Sequence, residues 1–228
     1  MKIVELPIEF EFNGQKNLIY PSLIILNNEL TLVDTGYTGF LTLISKEISK
    51  KGYEIKELKN IIITHYDDDH IGSLYDFKEK YPWINIIASE IESKYISGAM
   101  KSERLIQAEK MLKTMSNEKI EFGKWFIQQL KTLNHVSIDE KVLDGDMILD
   151  NNCRVVATPG HTSGHISLYF PSLKSVITGD AAVNENHELA IANLYFCLNI
   201  KEAEQSLRKI KHLKAETYYC YHGGKLTL

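Results

Sequence analysis

The N-terminal part of the chain alternates between apolar and polar side chains. Residues 3–12 show this alternation, residues 18–26 resume it, and residues 30–33 form another apolar run. Alternation with a period of two is typical of strands that are buried on one face, and Asn13-Gly14 is a hairpin signal between the first two. The pattern therefore predicts a β-meander that ends at Asp34.

Helical spacing follows, and it then alternates with short β-branched runs. Apolar positions at a helical period predict helices over residues 40–51, from 72 to about 81, and over 201–212, whereas the runs at 60–63, 84–88, 154–157, 166–170, 174–178 and 217–221 predict strands. Strand, helix and strand in succession indicate a mixed or parallel sheet with helices on its faces. We expect the α/β class and one domain over residues 1–228.

A segment at about 89–134 differs in character from its flanks. It lacks proline, is poor in glycine, and places apolar residues at helical spacing over 103–114 and 123–133. We interpret it as a helical insertion that covers part of a site or forms a homodimer surface. Its large apolar side chains are expected to be core rather than ligand pocket, since amphipathic helices normally bury their apolar stripe. These side chains are Met100, Met111, Met115, Trp125 and Phe126.

Composition excludes several classes of protein. The 228 residues carry a formal net charge of -4, with no long basic run, which disfavours binding to the nucleic acid backbone. Three scattered cysteines fit a reducing compartment. The N-terminal residues have glutamates where a signal peptide needs an apolar run, and no stretch approaches the roughly 20 apolar residues of a membrane span. We expect a cytoplasmic protein without a membrane partner that acts on a small molecule.

Candidate chemistry is concentrated where the predicted strands end. The loop from His65 to His70 contains two histidines and the carboxylates Asp67, Asp68 and Asp69 directly after a buried strand. Unpaired charges beside a core are costly, and imidazole with carboxylate is an ordinary ligand set for zinc, iron or manganese. The alternative is a solvated acidic turn that caps the next helix.

Three later strands are also followed by a histidine or aspartate, residue types that bind metals, next to a glycine. These residues are His161, Asp180 and His222. Because the ends of neighbouring strands meet at one edge of a sheet, we expect them to converge with the loop at 65–70. Asp34, between a buried strand and Gly36, is expected to form a turn, or to support the metal loop through hydrogen bonds.

Five motifs in this order resemble the metallo-β-lactamase fold superfamily of metal-dependent hydrolases. They are Asp34-Thr35-Gly36, the His65–Gly72 loop, Pro159-Gly160-His161-Thr162, Gly179-Asp180 and the late His222. The resemblance implies a four-layer αββα sandwich of two mixed β-sheets flanked by helices, with a metal site at one edge.

The resemblance also implies a ligand set for two divalent metal ions. His65, Asp67 and His161 would hold one ion, Asp69, His70 and His222 the other, and Asp180 would bridge both, with Asp34 and His165 supporting the ligands. Asp67 departs from the family, which usually has histidine there. A carboxylate makes the site one charge unit less positive than a histidine would. The metal ions would then lower the pKa of a bridging water by less, and the site's metal preference would move from zinc toward iron or manganese. Zinc stays the expected metal; Asp68 is expected to be solvated.

The implied reaction is hydrolysis by a metal-held hydroxide, with Asp69 as a ligand that also accepts a proton. A small ester, lactone or thioester is the expected substrate class. Two alternatives stay open: a di-iron redox protein of the same fold, which would need a partner domain, and a non-catalytic metal or ligand sensor.

Overall fold

The structure is a computed structural model that describes residues 1–12 and 14–228. Asn13, the first residue of the predicted hairpin turn, lies outside the described residues. The strands are β1 (Lys2–Glu5), β2 (Ile8–Phe12), β3 (Gln15–Ile19), β4 (Ser22–Leu26), β5 (Glu29–Val33), β6 (Leu58–Ile63), β7 (Asn85–Ser89), β8 (Glu140–Val142), β9 (Met147–Ile148), β10 (Cys153–Ala157), β11 (Ile166–Phe170), β12 (Ser175–Gly179), β13 (Val183–Glu185), β14 (Glu188–Ala190), β15 (Thr217–Cys220) and β16 (Gly224–Thr227). The helices are α1 (Leu41–Lys50), α2 (Asp68–Ile71), α3 (Leu74–Lys80), α4 (Glu90–Ile96), α5 (Glu103–Leu112), α6 (Asn117–Thr132) and α7 (Ile200–His212).

Two six-stranded mixed sheets form the centre of the molecule. The first has the order β1-β4-β5-β6-β7-β8, and the second has the order β16-β15-β12-β11-β10-β9. In the first sheet β5, β6, β7 and β8 are parallel neighbours. In the second sheet β12 and β15 are parallel, and β10 runs in the same direction because two antiparallel pairings separate it from β12. The carboxyl ends of these strands therefore gather the loops that carry the candidate ligands.

Alternation along the strands creates three apolar layers. On β6, Ile61 and Ile63 pack outward with Ile44 of α1 and Phe77 of α3, whereas Ile62 packs inward against the second sheet. On the far side of the second sheet, Val176 and Tyr218 pack against Ile210 of α7. Each sheet thus buries one face against the other sheet and one face against helices. The predicted αββα sandwich is confirmed.

Helices α5 and α6 pack against each other through a small apolar cluster of Ala108, Ile127 and Leu130. The second helix was expected at 123–133, but it begins at Asn117, so Gly123 lies inside it. A Cβ atom at Gly123 would lie 2.7 Å from Met115 Sδ and 2.8 Å from Leu112 Cδ1. This glycine allows the close approach of α6 to the end of α5, and its use in packing explains why it is a poor marker of a helix start.

Within the described residues, no helix combines the length and the apolar character needed to cross a lipid bilayer.

Candidate metal centre

Asp34 fixes the position of two histidines of the metal loop. Its Oδ1 accepts from the backbone N–H of Thr64 at 2.8 Å, and its Oδ2 accepts from the Thr64 hydroxyl at 2.8 Å and lies 2.9 Å from His70 Nδ1. The Thr64 hydroxyl in turn lies 3.0 Å from His65 Nδ1. Because a hydroxyl has one proton, which Asp34 receives, His65 Nδ1 donates to Thr64. Both rings are thereby oriented with Nε2 toward the centre.

The loop that carries His161 lies closely against α7. Gly160 has a φ of +126°, and a Cβ atom there would lie 2.1 Å from the backbone nitrogen of Ala203. The Ser206 hydroxyl also donates to the Pro159 carbonyl at 2.6 Å. Only glycine permits this approach, so the packing of the loop against α7 explains the glycine of the Pro-Gly-His motif.

His165 supports the aspartate expected to lie between two ions. Its Nε2 accepts from the backbone N–H of Asp180 at 2.9 Å, and its Nδ1 lies 2.8 Å from the Thr158 hydroxyl. Burial, together with the neighbouring His65 and His161 rings, lowers the pKa of His165 well below its ordinary value, so the ring stays neutral and can accept this bond.

The donor atoms form two groups that meet at Asp180. His65, His161 and Asp180 offer ligand atoms within 4.8 Å of one another, and so do Asp69, His70 and His222. Asp180 Oδ1 lies 3.3 Å from His70 Nε2, and Asp180 Oδ2 lies 3.5 Å from the Nε2 atoms of both His161 and His222. The structure therefore brings together the predicted ligands from four strand ends.

These donors fit a divalent cation. Among the described residues, the buried atoms His65 Nε2, His70 Nε2 and Asp180 Oδ1 have no hydrogen-bond partner. Burial lowers the pKa of His222, but Asp180 and Asp69 outweigh it and raise this pKa to about 10. The centre thus demands positive charge, which either protons or a metal must supply. Metal binding at these residues is supported by this chemistry; the individual ligand assignments stay predictions.

Asp67 has a partner that the motif does not indicate. Arg104 of α5 is 1% exposed, and its Nε lies 3.0 Å from Asp67 Oδ1 while its Nη2 lies 2.6 Å from Asp67 Oδ2. Burial raises the pKa of Asp67, but Arg104 and His161 outweigh it and hold this pKa well below the ordinary value. The same Asp67 Oδ2 lies 3.0 Å from His161 Nε2 and 3.5 Å from His65 Nε2. Asp67 is therefore a buried anion held in a two-point ion pair at the edge of the first donor group.

This ion pair changes the charge argument made from the sequence. Aspartate in place of histidine removes one positive unit from the site, and Arg104 returns it. The net charge around the first donor group thus equals that of a site with a neutral histidine at position 67. The expected shift from zinc toward iron or manganese loses its physical basis.

Glu92 is a second buried residue that sequence reasoning missed. It is fully buried on α4 and accepts from the backbone N–H of Tyr66 at 2.9 Å, the Thr162 hydroxyl at 2.7 Å and the backbone N–H of Gly164 at 2.9 Å. One carboxyl group thereby ties the His65–His70 loop to the His161 loop. Its burial follows from the packing of α4 against these loops, which the local sequence does not reveal.

A cavity of about 720 Å³ opens over the donor groups. Its floor carries the donor carboxylates, and its outer wall is largely aromatic: Phe12, Tyr37, Phe122, Trp125, Phe126 and Phe196. Trp125 was expected to be core; instead it is 41% exposed and lines this cavity, because α6 lies across the opening of the site. Phe126 packs against the α5–α6 cluster, as expected, and also lines the cavity. Asp68, expected to be solvated, is only partly exposed and also lines the cavity.

Known proteins resemble this chain in sequence and structure. A family model described as the metallo-beta-lactamase superfamily matches residues 18–222. A probable metallo-hydrolase of Bacillus subtilis, YflN, is 24% identical over 217 residues, which cover 88% of this chain and 77% of that relative. A hydroxyacylglutathione hydrolase of Mesorhizobium japonicum is 27% identical over 165 residues, which cover 71% of this chain and 47% of that relative.

The crystal structure of a metallo-beta-lactamase family protein from Thermus thermophilus has a TM-score of 0.74 to this chain at 18% identity, covering 99% of this chain and 74% of that one. This likeness supports the fold.

Proposed function

Because the chain belongs to the metallo-beta-lactamase superfamily of metal-dependent hydrolases, we propose that it hydrolyses a small, uncharged ester or lactone with an apolar acyl or alcohol part. The observation that carries this proposal is the arrangement of two donor groups on the floor of an aromatic cavity. Hydrolysis of a thioester belongs to the same reaction class, but we rank a thioester below an ester or lactone as the substrate.

The chain's own residues have distinct roles in this proposal. His65 and His161, with Asp67 beside them, would hold one divalent ion, Asp69, His70 and His222 would hold a second, and Asp180, which lies near both groups, would be a ligand of each. When bound, zinc or a similar ion would supply Lewis-acid activation of water and of the substrate's carbonyl oxygen. Asp69 lines the cavity, and its Oδ2 lies 3.2 Å from His222 Nε2, so it would receive the proton of the attacking water.

The charges that line the cavity favour a neutral substrate. Bound metal would offset the charge of Asp67, Asp69 and Asp180, whereas the lining carboxylates Asp68 and Glu185 are not proposed ligands, and Arg104 is the one lysine or arginine among the described lining residues. Arg104 is already committed to Asp67. A glutathione thioester carries carboxylates of its own, which would meet no free lysine or arginine among the described lining residues, whereas an apolar group gains contact with the aromatic wall.

A matched substrate series tests this proposal. The zinc-loaded protein is offered an aryl ester, an alkyl lactone and a hydroxyacylglutathione thioester, and kcat/KM is measured for each. We expect the ester or lactone to exceed the thioester at least tenfold, and Asp180→Ala to lose the turnover. A preference for the thioester would contradict the substrate class, and no turnover of any member by metal-loaded protein would contradict the reaction class.

A further inference from the structure

The Arg104 guanidinium is held rigidly against the first donor group. Its Nη1 donates to Gln107 Oε1 at 2.5 Å and to the carbonyl oxygen of Phe196, and its Cζ lies 5.4 Å from the centre of the Phe196 ring. Its other two nitrogens bind Asp67. Every nitrogen of this side chain is therefore engaged, so the charge stays where the structure has it.

Among the described residues, this fixed charge makes direct contact with donors of the first group and with none of the second. Arg104 Nη2 is 3.3 Å from His161 Nε2, and it occupies one side of Asp67 Oδ2. An ion held by His65 and His161 would lie beside this buried guanidinium, and like charges repel more strongly where burial reduces screening by water. It would also find Asp67 already neutralised by its partner.

The second donor group has no such neighbour. Among the described residues, the ion pairs of Asp69 and Asp180 involve histidines and no lysine or arginine. His222 is 35% exposed, which leaves this group open to the solvent. Its donors can therefore face an ion without a competing charge.

We propose that the two metal positions are unequal: Arg104 weakens the position beside Asp67, so that the chain binds one ion tightly at Asp69, His70 and His222, with Asp180 as a further ligand, and a second only at much higher metal concentration. This inference rests on the proposed metal-dependent hydrolase function. It makes Arg104 a positioning residue that sets how many ions the chain carries.

Equilibrium dialysis of chelator-stripped protein against buffered free Zn²⁺, with zinc counted per chain by mass spectrometry, tests the inequality. We expect a plateau at one zinc per chain, and a second step at least 100-fold higher in free zinc. Filling of both positions at the same free zinc concentration would overturn the inference but leave the hydrolase function standing. No zinc at any concentration would instead overturn the metal-dependent function.

Variants assign the cause of the inequality. In Arg104→Met the second step should move at least tenfold lower in free zinc, while Lys110→Met, a matched change at an exposed position of the same helix, should leave both steps unchanged. An unchanged or weakened second step in Arg104→Met would overturn the role of Arg104.

A second pair of variants keeps the test decisive if Arg104→Met does not fold. Asp67→His with Arg104 retained should keep a weak second position, and the double variant Asp67→His/Arg104→Met should bring the two steps within about tenfold of each other. Equal second steps in these two variants would contradict the inference, because they differ only in the guanidinium.

Discussion

Asp34 Oδ2 and His70 Nδ1 lie 2.9 Å apart, and both residues are almost fully buried. This contact joins the end of β5 to α2, and it directs His70 Nε2 toward Asp69 and Asp180. A histidine whose other nitrogen is held by a carboxylate is a better oriented and more basic metal ligand. Asp34, the residue that follows the last strand of the β-meander, thus helps to hold a candidate metal ligand in position.

The first prediction concerns this contact. Asp34→Asn removes the charge and offers an amide to groups that need an acceptor, so we expect a roughly 10–100-fold loss of zinc affinity, the usual effect of removing such a support. Competition with a chromogenic chelator measures it. Asp150→Asn, at an exposed position, is the control and should bind zinc as the wild type does. Equal zinc affinities in the two variants would contradict the role of Asp34 in supporting zinc binding.

The second prediction concerns stability without metal. Arg104→Met leaves Asp67 buried without its partner, and breaking a buried pair typically costs about 3–5 kcal/mol. We expect the free energy of unfolding of the chelated protein, measured by urea denaturation, to fall by about that amount. Lys110→Met should change it by less than about 0.5 kcal/mol.

The double variant Asp67→Asn/Arg104→Met gives a further check on the same pair. It removes both charges, so it should be more stable than Arg104→Met alone. A double variant that is less stable than the single one would show that the pair is not the source of the loss.

The third prediction is a pH dependence that originates at Glu92. Burial raises the pKa of Glu92 from its ordinary value of 4.5 to about 8, although hydrogen bonds from Thr162, Tyr66 and Gly164 oppose this rise. The folded chain therefore keeps a proton that the unfolded chain loses. The resulting stability is complete below about pH 4.5 and is lost as the pH rises to about 8.

Urea denaturation of chelated protein from pH 5 to pH 8 measures this dependence. The free energy of unfolding of Glu92→Gln should fall less over this range than that of the wild type, because glutamine does not titrate. Glu90→Gln, at an exposed position of the same helix, should follow the wild type. Parallel curves for Glu92→Gln and the wild type would show that this carboxyl is already ionised at pH 5.

The fourth prediction concerns the aromatic wall. Trp125 lines the cavity, lies 5.3 Å from Phe12 between ring centres, and is still 41% exposed. Trp125→Ala removes apolar contact that substrate and transition state share, so KM for an aryl ester should rise about 5–30-fold while kcat changes by less than about threefold. Trp83→Ala, at an exposed tryptophan outside the cavity lining, should leave both constants unchanged. A loss confined to kcat would place Trp125 in the chemistry instead.

The residue pattern predicted many of the strands and helices because their signals are local, whereas the four-layer sandwich followed from the family resemblance. The β-branched run of β6 is apolar throughout because both of its faces are buried, and three of the later ligand types stand beside glycine at strand ends. The direction of parallel strands then brings those ends to one edge.

The partners of the site were harder to predict because they come from elsewhere in the chain. Arg104 lies 37 residues after Asp67, and Glu92 lies 26 residues after Tyr66. The helical pattern of α5 and α6 showed two amphipathic helices but not what their apolar sides would cover. The use of Trp125 as cavity wall and of Arg104 as counter-ion therefore depends on how these helices lie over the sheets.

The most direct test of the central claim is the metal content of the purified, untagged protein after zinc reconstitution and desalting, counted per chain by mass spectrometry. The account predicts at least one zinc per chain in the wild type, and a clear loss in Asp180→Ala that keeps the circular dichroism spectrum of the wild type. Wild-type protein without zinc, or an Asp180→Ala variant with undiminished zinc, would contradict the assignment of this site as a metal centre.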